Sequence, residues 1–116
     1  MLDVIDYNQK VLLMRLEQLM TMLGDDPENT FLHFAIAKEY EKLNELEAAL
    51  DKYDYILNHD PEYVGLYYHQ AKLLEEMGDE ARALDIYVKG IAIATDQKDQ
   101  HALSELLNAK MNLEIS

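Results

Sequence analysis

The sequence contains no cysteine, only 2 prolines and 4 glycines among 116 residues, and 10 Lys and Arg against 23 Asp and Glu. Without cysteine there is no disulfide framework, no thiolate chemistry and no Cys-based metal site. So few prolines and glycines cannot punctuate a many-stranded sheet. The shortage of cations leaves a formal net charge of −13, and no local Lys/Arg cluster offsets it. Such a surface repels phosphate backbones and anionic headgroups, which sets aside nucleic acid and membrane as partners. It would steer a basic peptide or a basic protein face inwards, the alternative and commoner reason for such a charge being solubility alone. No stretch approaches the length of an apolar membrane span. The start, Met1-Leu2-Asp3-Val4-Ile5-Asp6, is acidic and lacks the basic opening and continuous apolar run of a signal peptide. A cytoplasmic protein is the expectation.

What is present points to helices around a real core. The hydrophobic fraction is 49%, and the long stretches between turn residues are rich in Leu, Ala, Glu and Lys, all good helix formers. A chain of this length buries about two-thirds of its unfolded surface. The sequence also repeats itself. Asp26-Pro27-Glu28 recurs 34 residues on as Asp60-Pro61-Glu62, which is the period of one helix–turn–helix unit. At that offset Ala37 aligns with Ala71, Ala49 with Ala83, Leu50 with Leu84, and Tyr53 with Tyr87. Lys38 meets Lys72, Glu41 meets Glu75, and Phe34 falls opposite Tyr68. The alanines suit helix crossings, where a small side chain lets backbones approach. Tyr40, Tyr53 and Tyr87 suit the gaps between successive helices. Asn44 and Gly78 occupy equivalent turns and tolerate the left-handed conformation that ends a helix, while Asn29 and Asp79 can cap the helices that follow them. The pattern predicts six helices, over about residues 3–23, 29–43, 46–58, 63–77, 80–95 and 99–113, each boundary good to about 2–4 residues.

These residues resemble the tetratricopeptide repeat family. Ala37, Tyr40, Ala49, Tyr53 and Pro61 supply the small and aromatic positions and the closing proline of one unit. Ala71, Ala83 and Tyr87 supply those of a second, in which Leu74 stands at an aromatic position and Thr95 at the proline. Ile36 and Gln70 replace the usual leucine of the first helix, and Ile56 and Gly90 the late alanine of the second. The resemblance covers residues 30 to about 95. It implies an all-α fold, a right-handed superhelical stack of antiparallel helix pairs. The chain then reads as one domain: an N-terminal capping helix in residues 1–28, repeat one in 29–62, repeat two in 63–97, and a C-terminal capping helix in 98–116.

In this family the concave face, made by the first helix of each pair, receives extended peptides or helices. The register places Phe31, Phe34, Lys38, Glu41 and Lys42 there from repeat one, and Tyr68, His69, Lys72, Glu75 and Glu76 from repeat two. Aromatics would give contact area, and ammonium groups would meet a carboxylate or a backbone carbonyl. Phe34 and Lys38 stand where family members that clamp a C-terminal carboxylate carry Lys and Asn, which argues against that ligand. The competing expectation is that the terminal helix folds over this surface and turns Phe34 and Tyr68 into core.

The first helix is apolar on two sides. Leu2, Ile5, Leu12, Leu13, Leu16, Leu19, Met20 and Leu23 share a face expected to pack on repeat one, while Val4, Tyr7, Val11 and Met14 form a second stripe. A helix of that kind has something further to bury, so self-association as a homodimer through Val4, Tyr7, Val11 and Met14 stands as the rival to a foreign protein or peptide partner. For catalysis and metal binding the pattern is unfavourable. His33, His59, His69 and His101 are dispersed without ligand spacing, no EF-hand order occurs among the carboxylates, and the glycines form no phosphate cradle. The expectation is a non-catalytic interaction module with no cofactor, no metal site and no catalytic residue.

Overall fold

In the computed structural model, which describes residues 6–116, the chain is all-helical, with six helices and no strand among the described residues. They are α1 (Tyr7–Asp25), α2 (Thr30–Lys42), α3 (Leu46–His59), α4 (Gly65–Glu76), α5 (Glu80–Gln97) and α6 (Gln100–Ile115). The chain divides into two compact units, one ending at Ile56 and the other running from Leu57 to Ser116.

In the first unit α1 packs on α2, and α2 is tied to α3 by side chains described below. Its core holds Leu32, Ile36, Ala37, Ala49, Tyr53 and Ile56, all buried, with both alanines fully so. α1 lies more loosely than its sequence suggests. Of its described residues only Leu16 is buried, and Leu13 and Met20, expected to pack inwards, are 39% and 40% exposed. Leu13 and Met20 lie at one edge of that face, beyond the strip around Leu12, Leu16, Leu19 and Leu23 that is covered. The helix begins at Tyr7, where the Asp6 carboxylate accepts the Gln9 amide at 2.8 Å; the expected start at residue 3, with Leu2 and Ile5, lies outside the described residues.

In the second unit α4 packs on α5, α5 on α6, and α6 also touches α4. Leu66, Tyr67, Ala71, Leu73, Leu74, Ala83, Ile86, Tyr87, Ala94 and Leu106 form its core. Gly90 is what permits the approach of α5 to α4: a methyl group there would lie 2.4 Å from the Tyr67 Cβ and 3.1 Å from Leu106 Cδ1. The helix therefore gives up about 1 kcal/mol of propensity relative to alanine in exchange for a close crossing.

The turns follow the repeat closely. Asn44 and Gly78 both have positive φ, 61° and 85°. After each, an amide bonds back to a carbonyl five residues earlier, Glu45 N to Tyr40 O and Asp79 N to Leu74 O, both at 2.9 Å. α5 ends in the same way at Lys98, φ 59°, with Asp99 N bonded to Ala94 O at 2.9 Å. These are Schellman-type endings that satisfy the last carbonyls of a helix. Asn29, Asp79 and Asp99 cap the helices after them through the amides of Leu32, Arg82 and Ala102. α4 has no such cap. Tyr63 stands where repeat one has Asn29, Val64 makes no side-chain cap bond, and the helix starts at Gly65 rather than at the expected residue 63.

Candidate functional site

The same three side chains meet in each unit. On α2, Lys38 and Glu41 sit one turn apart on one face, and Lys38 Nζ lies 4.0 Å from Glu41 Oε2. From α3 the hydroxyl of Tyr53 donates to that same Glu41 oxygen. On α4, Lys72 Nζ lies 3.9 Å from Glu75 Oε2, and from α5 the Tyr87 hydroxyl donates to it. Both tyrosines are fully buried. Burial first, then the hydrogen bond to Glu41 and its charge, push the Tyr53 phenol well above the ordinary tyrosine value. Burial, then Glu75, do the same for Tyr87. Each phenol thus stays protonated at neutral pH and serves as a donor. Each carboxylate is bound from the neighbouring helix and lies at the outer range of an ion pair with an ammonium group at the first-helix surface, with the Lys38 and Lys72 side chains 36% and 50% exposed.

The rest of the expected binding residues divide by surroundings. Phe31 is 67% exposed. Phe34, half-buried, tilts against the Tyr53 ring with centroids 6.0 Å apart. Lys42 is bound to Glu39 at 3.1 Å. Phe31, Phe34, Lys38 and Glu41 follow helical spacing along one side of α2, as Tyr68, Lys72 and Glu75 do along α4. Tyr68 and His69 meet edge to face at 5.5 Å. Glu41 and Glu75 are therefore part of each unit's internal framework as well as of its first-helix surface.

Sequence reasoning missed two features. The first is a link from the first helix to the proline that precedes it. The His33 ring, buried and stacked on Tyr55 at 3.8 Å, places Nε2 2.8 Å from the Pro27 carbonyl. At the equivalent position in repeat two, the Tyr67 hydroxyl donates to the Pro61 carbonyl, its phenol raised by burial and by the Asp60 carboxylate. Both ends of this link recur at the 34-residue offset, which is the signal that could have found it. The second is Glu39, a buried carboxylate with Arg15 Nη1 of α1 at 3.7 Å and Lys42 at 3.1 Å; its counterpart in repeat two is the fully buried Leu73.

Of the second stripe on α1, Tyr7 is 80% and Met14 54% exposed, Val11 is half-buried, and Val4 lies outside the described residues. A hollow of about 530 Å³ is lined by Tyr7, Lys10, Val11, Met14, Arg15 and Gln18. Another, of about 420 Å³, lies between α1 and the end of α2, with Leu13, Leu16, Tyr40 and Leu43 on its walls. Among the described residues no three His, Asp or Glu side chains gather as a metal would need, and no helix is long and apolar enough to cross a membrane.

Solved structures resemble this arrangement over most of the chain. A crystal structure of a tetratricopeptide repeat domain protein from Salinibacter ruber is 37% identical, with a TM-score of 0.71 over 74% of this chain and 96% of that one. A protein from Bordetella parapertussis, solved in solution, is 30% identical, with a TM-score of 0.75 over 85% of this chain and 86% of that one. The type III secretion translocator chaperone of Yersinia enterocolitica shares the fold at a TM-score of 0.82 over 94% of this chain and 76% of its own, at 11% identity. No family model and no curated protein matches the sequence.

Proposed function

The chain belongs to the tetratricopeptide repeat family, and we propose that it is a non-catalytic protein-interaction module that takes a peptide or a partner's helix on the first-helix surfaces of its two units. The observation that carries this reading is the Lys–Glu–Tyr arrangement made once in each unit. A carboxylate anchored by a buried phenol stands within ion-pair reach of each ammonium group, so the acidic half of the display is organised before any partner arrives. Around it stand Phe31, Phe34 and Lys42 on α2, and Tyr68 and His69 on α4. An ammonium already paired with Glu41 or Glu75 is suited to donating to a partner's backbone carbonyls. The net charge of −13 favours a partner segment that is itself basic.

The test is fluorescence anisotropy with a panel of labelled cationic peptides at low and raised salt. Phe31→Ala and Lys72→Ala change exposed groups and should leave the helical signal intact. The expected result is binding that weakens with salt and falls about tenfold in each variant. Binding indifferent to both substitutions would remove the first-helix surface from the account.

A second reading is favoured by a different observation, the exposure of Tyr7 and Met14 beside the hollow on α1. In that reading the chain associates with itself through α1, as a homodimer or a larger assembly. Solution mass across a concentration series separates the two, since a protein monomeric throughout does not self-associate.

A further inference from the structure

The α1 hollow has an uneven chemistry. Tyr7, Val11 and Met14 make it apolar, and both charged groups that line it, Lys10 and Arg15, are cations in a chain of net charge −13. Arg15 reaches Glu39 at 3.7 Å with its side chain 56% exposed, so its charge is only partly spent inside the unit. If two copies paired through this same surface, a two-fold axis passing between Val11 and Met14 would set Lys10 of one copy against Arg15 of the other. Like charges facing one another across an apolar contact oppose that pairing. The complement of this hollow is an apolar stripe flanked by carboxylates.

The same chain carries an apolar stripe with one carboxylate beside it on α6. Leu107, Met111 and Ile115 recur at intervals of four, and so share one side of the helix; they are 48%, 53% and 77% exposed. Glu114 lies beside Met111 and Ile115, its carboxylate 47% exposed and paired with Lys110 at 3.1 Å. The carbonyl end of α6 adds partial negative charge at the Ile115 end of the stripe. Charge also falls favourably over these two helices. In α1 Lys10 and Arg15 balance Glu17 and Asp25, and in α6 Lys110 stands against Glu105 and Glu114, so most of the molecule's acidity lies outside them. Two copies meeting by α1 and α6 therefore bring together segments whose charges are nearly balanced and which repel each other only weakly.

Resting on the self-association reading above, we infer that α1 of one copy receives the Leu107–Met111–Ile115 stripe of a second copy. Met111 and Ile115 would enter the hollow beside Val11 and Met14, and Glu114 would exchange its Lys110 for Lys10 or Arg15. A contact between two different surfaces does not stop at two copies; each dimer keeps one free α1 and one free α6, so the assembly grows with concentration or closes into a ring.

Two variants at exposed positions test it, with circular dichroism to confirm that each is folded. Met14→Glu places a carboxylate in the hollow, and Met111→Lys places a cation in the stripe. Sedimentation equilibrium should show wild type growing beyond a dimer as concentration rises to the millimolar range, and each variant alone as a monomer. Mixed, the two should form a one-to-one complex, because each retains the surface the other has lost. Should Met111→Lys associate as wild type does, the stripe is not the partner of α1, although self-association stands. Should wild type be monomeric throughout, both ideas fail together.

Discussion

Compared residue by residue at an offset of 34, the two repeats agree in the side-chain hydrogen bonds that tie their helices together, differ at the N-cap that only α2 has, and differ in how they fill space. Tyr53 and Tyr87 reach the carboxylates of Glu41 and Glu75. His33 and Tyr67 reach the carbonyls of Pro27 and Pro61. Asn44 and Gly78 close the same left-handed turn. Between these fixed points the bulk is traded. Repeat one has His33 with Ile56, and repeat two has the larger Tyr67 with Gly90, whose missing side chain is the room that Tyr67 occupies. Repeat one buries the charged Glu39 between Arg15 and Lys42, where repeat two buries Leu73. A polar link needs one geometry, since a buried donor or acceptor left unmatched costs about 1–3 kcal/mol. Apolar volume can be redistributed between neighbouring helices as long as the total is kept.

The largest expected effect comes from breaking that trade. Gly90→Ile imports the repeat-one residue into the space of Tyr67 and should cost about 3 kcal/mol in urea denaturation. Adding Tyr67→His, which completes the repeat-one pair, should recover part of the loss; a double variant no better than the single one would mean the pair is not a trade.

Removing the shared link comes next. Tyr53→Phe and Tyr87→Phe should each cost about 1.5–3 kcal/mol, the range for hydrogen bonds to charged groups, and the two losses should be alike. These phenols also set a pH dependence. Both hold their protons more tightly folded than unfolded, so their stabilisation is fully present below the unfolded tyrosine pKa of about 10. It is lost as pH rises above that value towards the raised folded pKa. Denaturation midpoints should fall above about pH 10, and less steeply in the double phenylalanine variant.

A smaller gain is expected where a left-handed turn is held by an ordinary side chain. Lys98→Gly should stabilise by about 0.5–1 kcal/mol, because glycine takes positive φ without the clash that Lys98 bears. Gly78→Ala, the converse change, should cost a similar amount. The smallest effect is Glu39→Leu. It installs the repeat-two residue in place of a buried carboxylate whose desolvation offsets much of its attraction to the half-exposed Arg15 and Lys42, so the thermal midpoint should correspond to a change within about 1 kcal/mol. A loss several times larger would show that the Arg15–Glu39 pair is what keeps α1 in place.

Much of this was legible because it is periodic. The four alanines Ala37, Ala49, Ala71 and Ala83 announce close packing by recurring at one offset, and all four are fully buried. Asn29, Asp79, Asn44 and Gly78 announce helix ends through local chemistry that needs no tertiary context. What depended on a third dimension was harder to read. Glu41 and Glu75 look like surface charges in sequence, and only the helix opposite reveals that a tyrosine claims each carboxylate. The first helix shows the opposite failure: Leu13 and Met20 have the spacing of a packed face, yet the covered strip is narrower than that face and leaves them at its edge. His33 looks like any dispersed histidine until its ring is seen on Tyr55 and at the Pro27 carbonyl.

The central claim, that partners dock on the first-helix surfaces of both units, is tested most directly by amide chemical-shift mapping during titration with a cationic peptide that binds. The account predicts the largest shifts along α2 from Phe31 to Lys42 and along α4 from Tyr68 to Glu75, both lost together in Phe31→Ala with Lys72→Ala. Shifts confined to α1 and α6, with α2 and α4 unmoved, would contradict it.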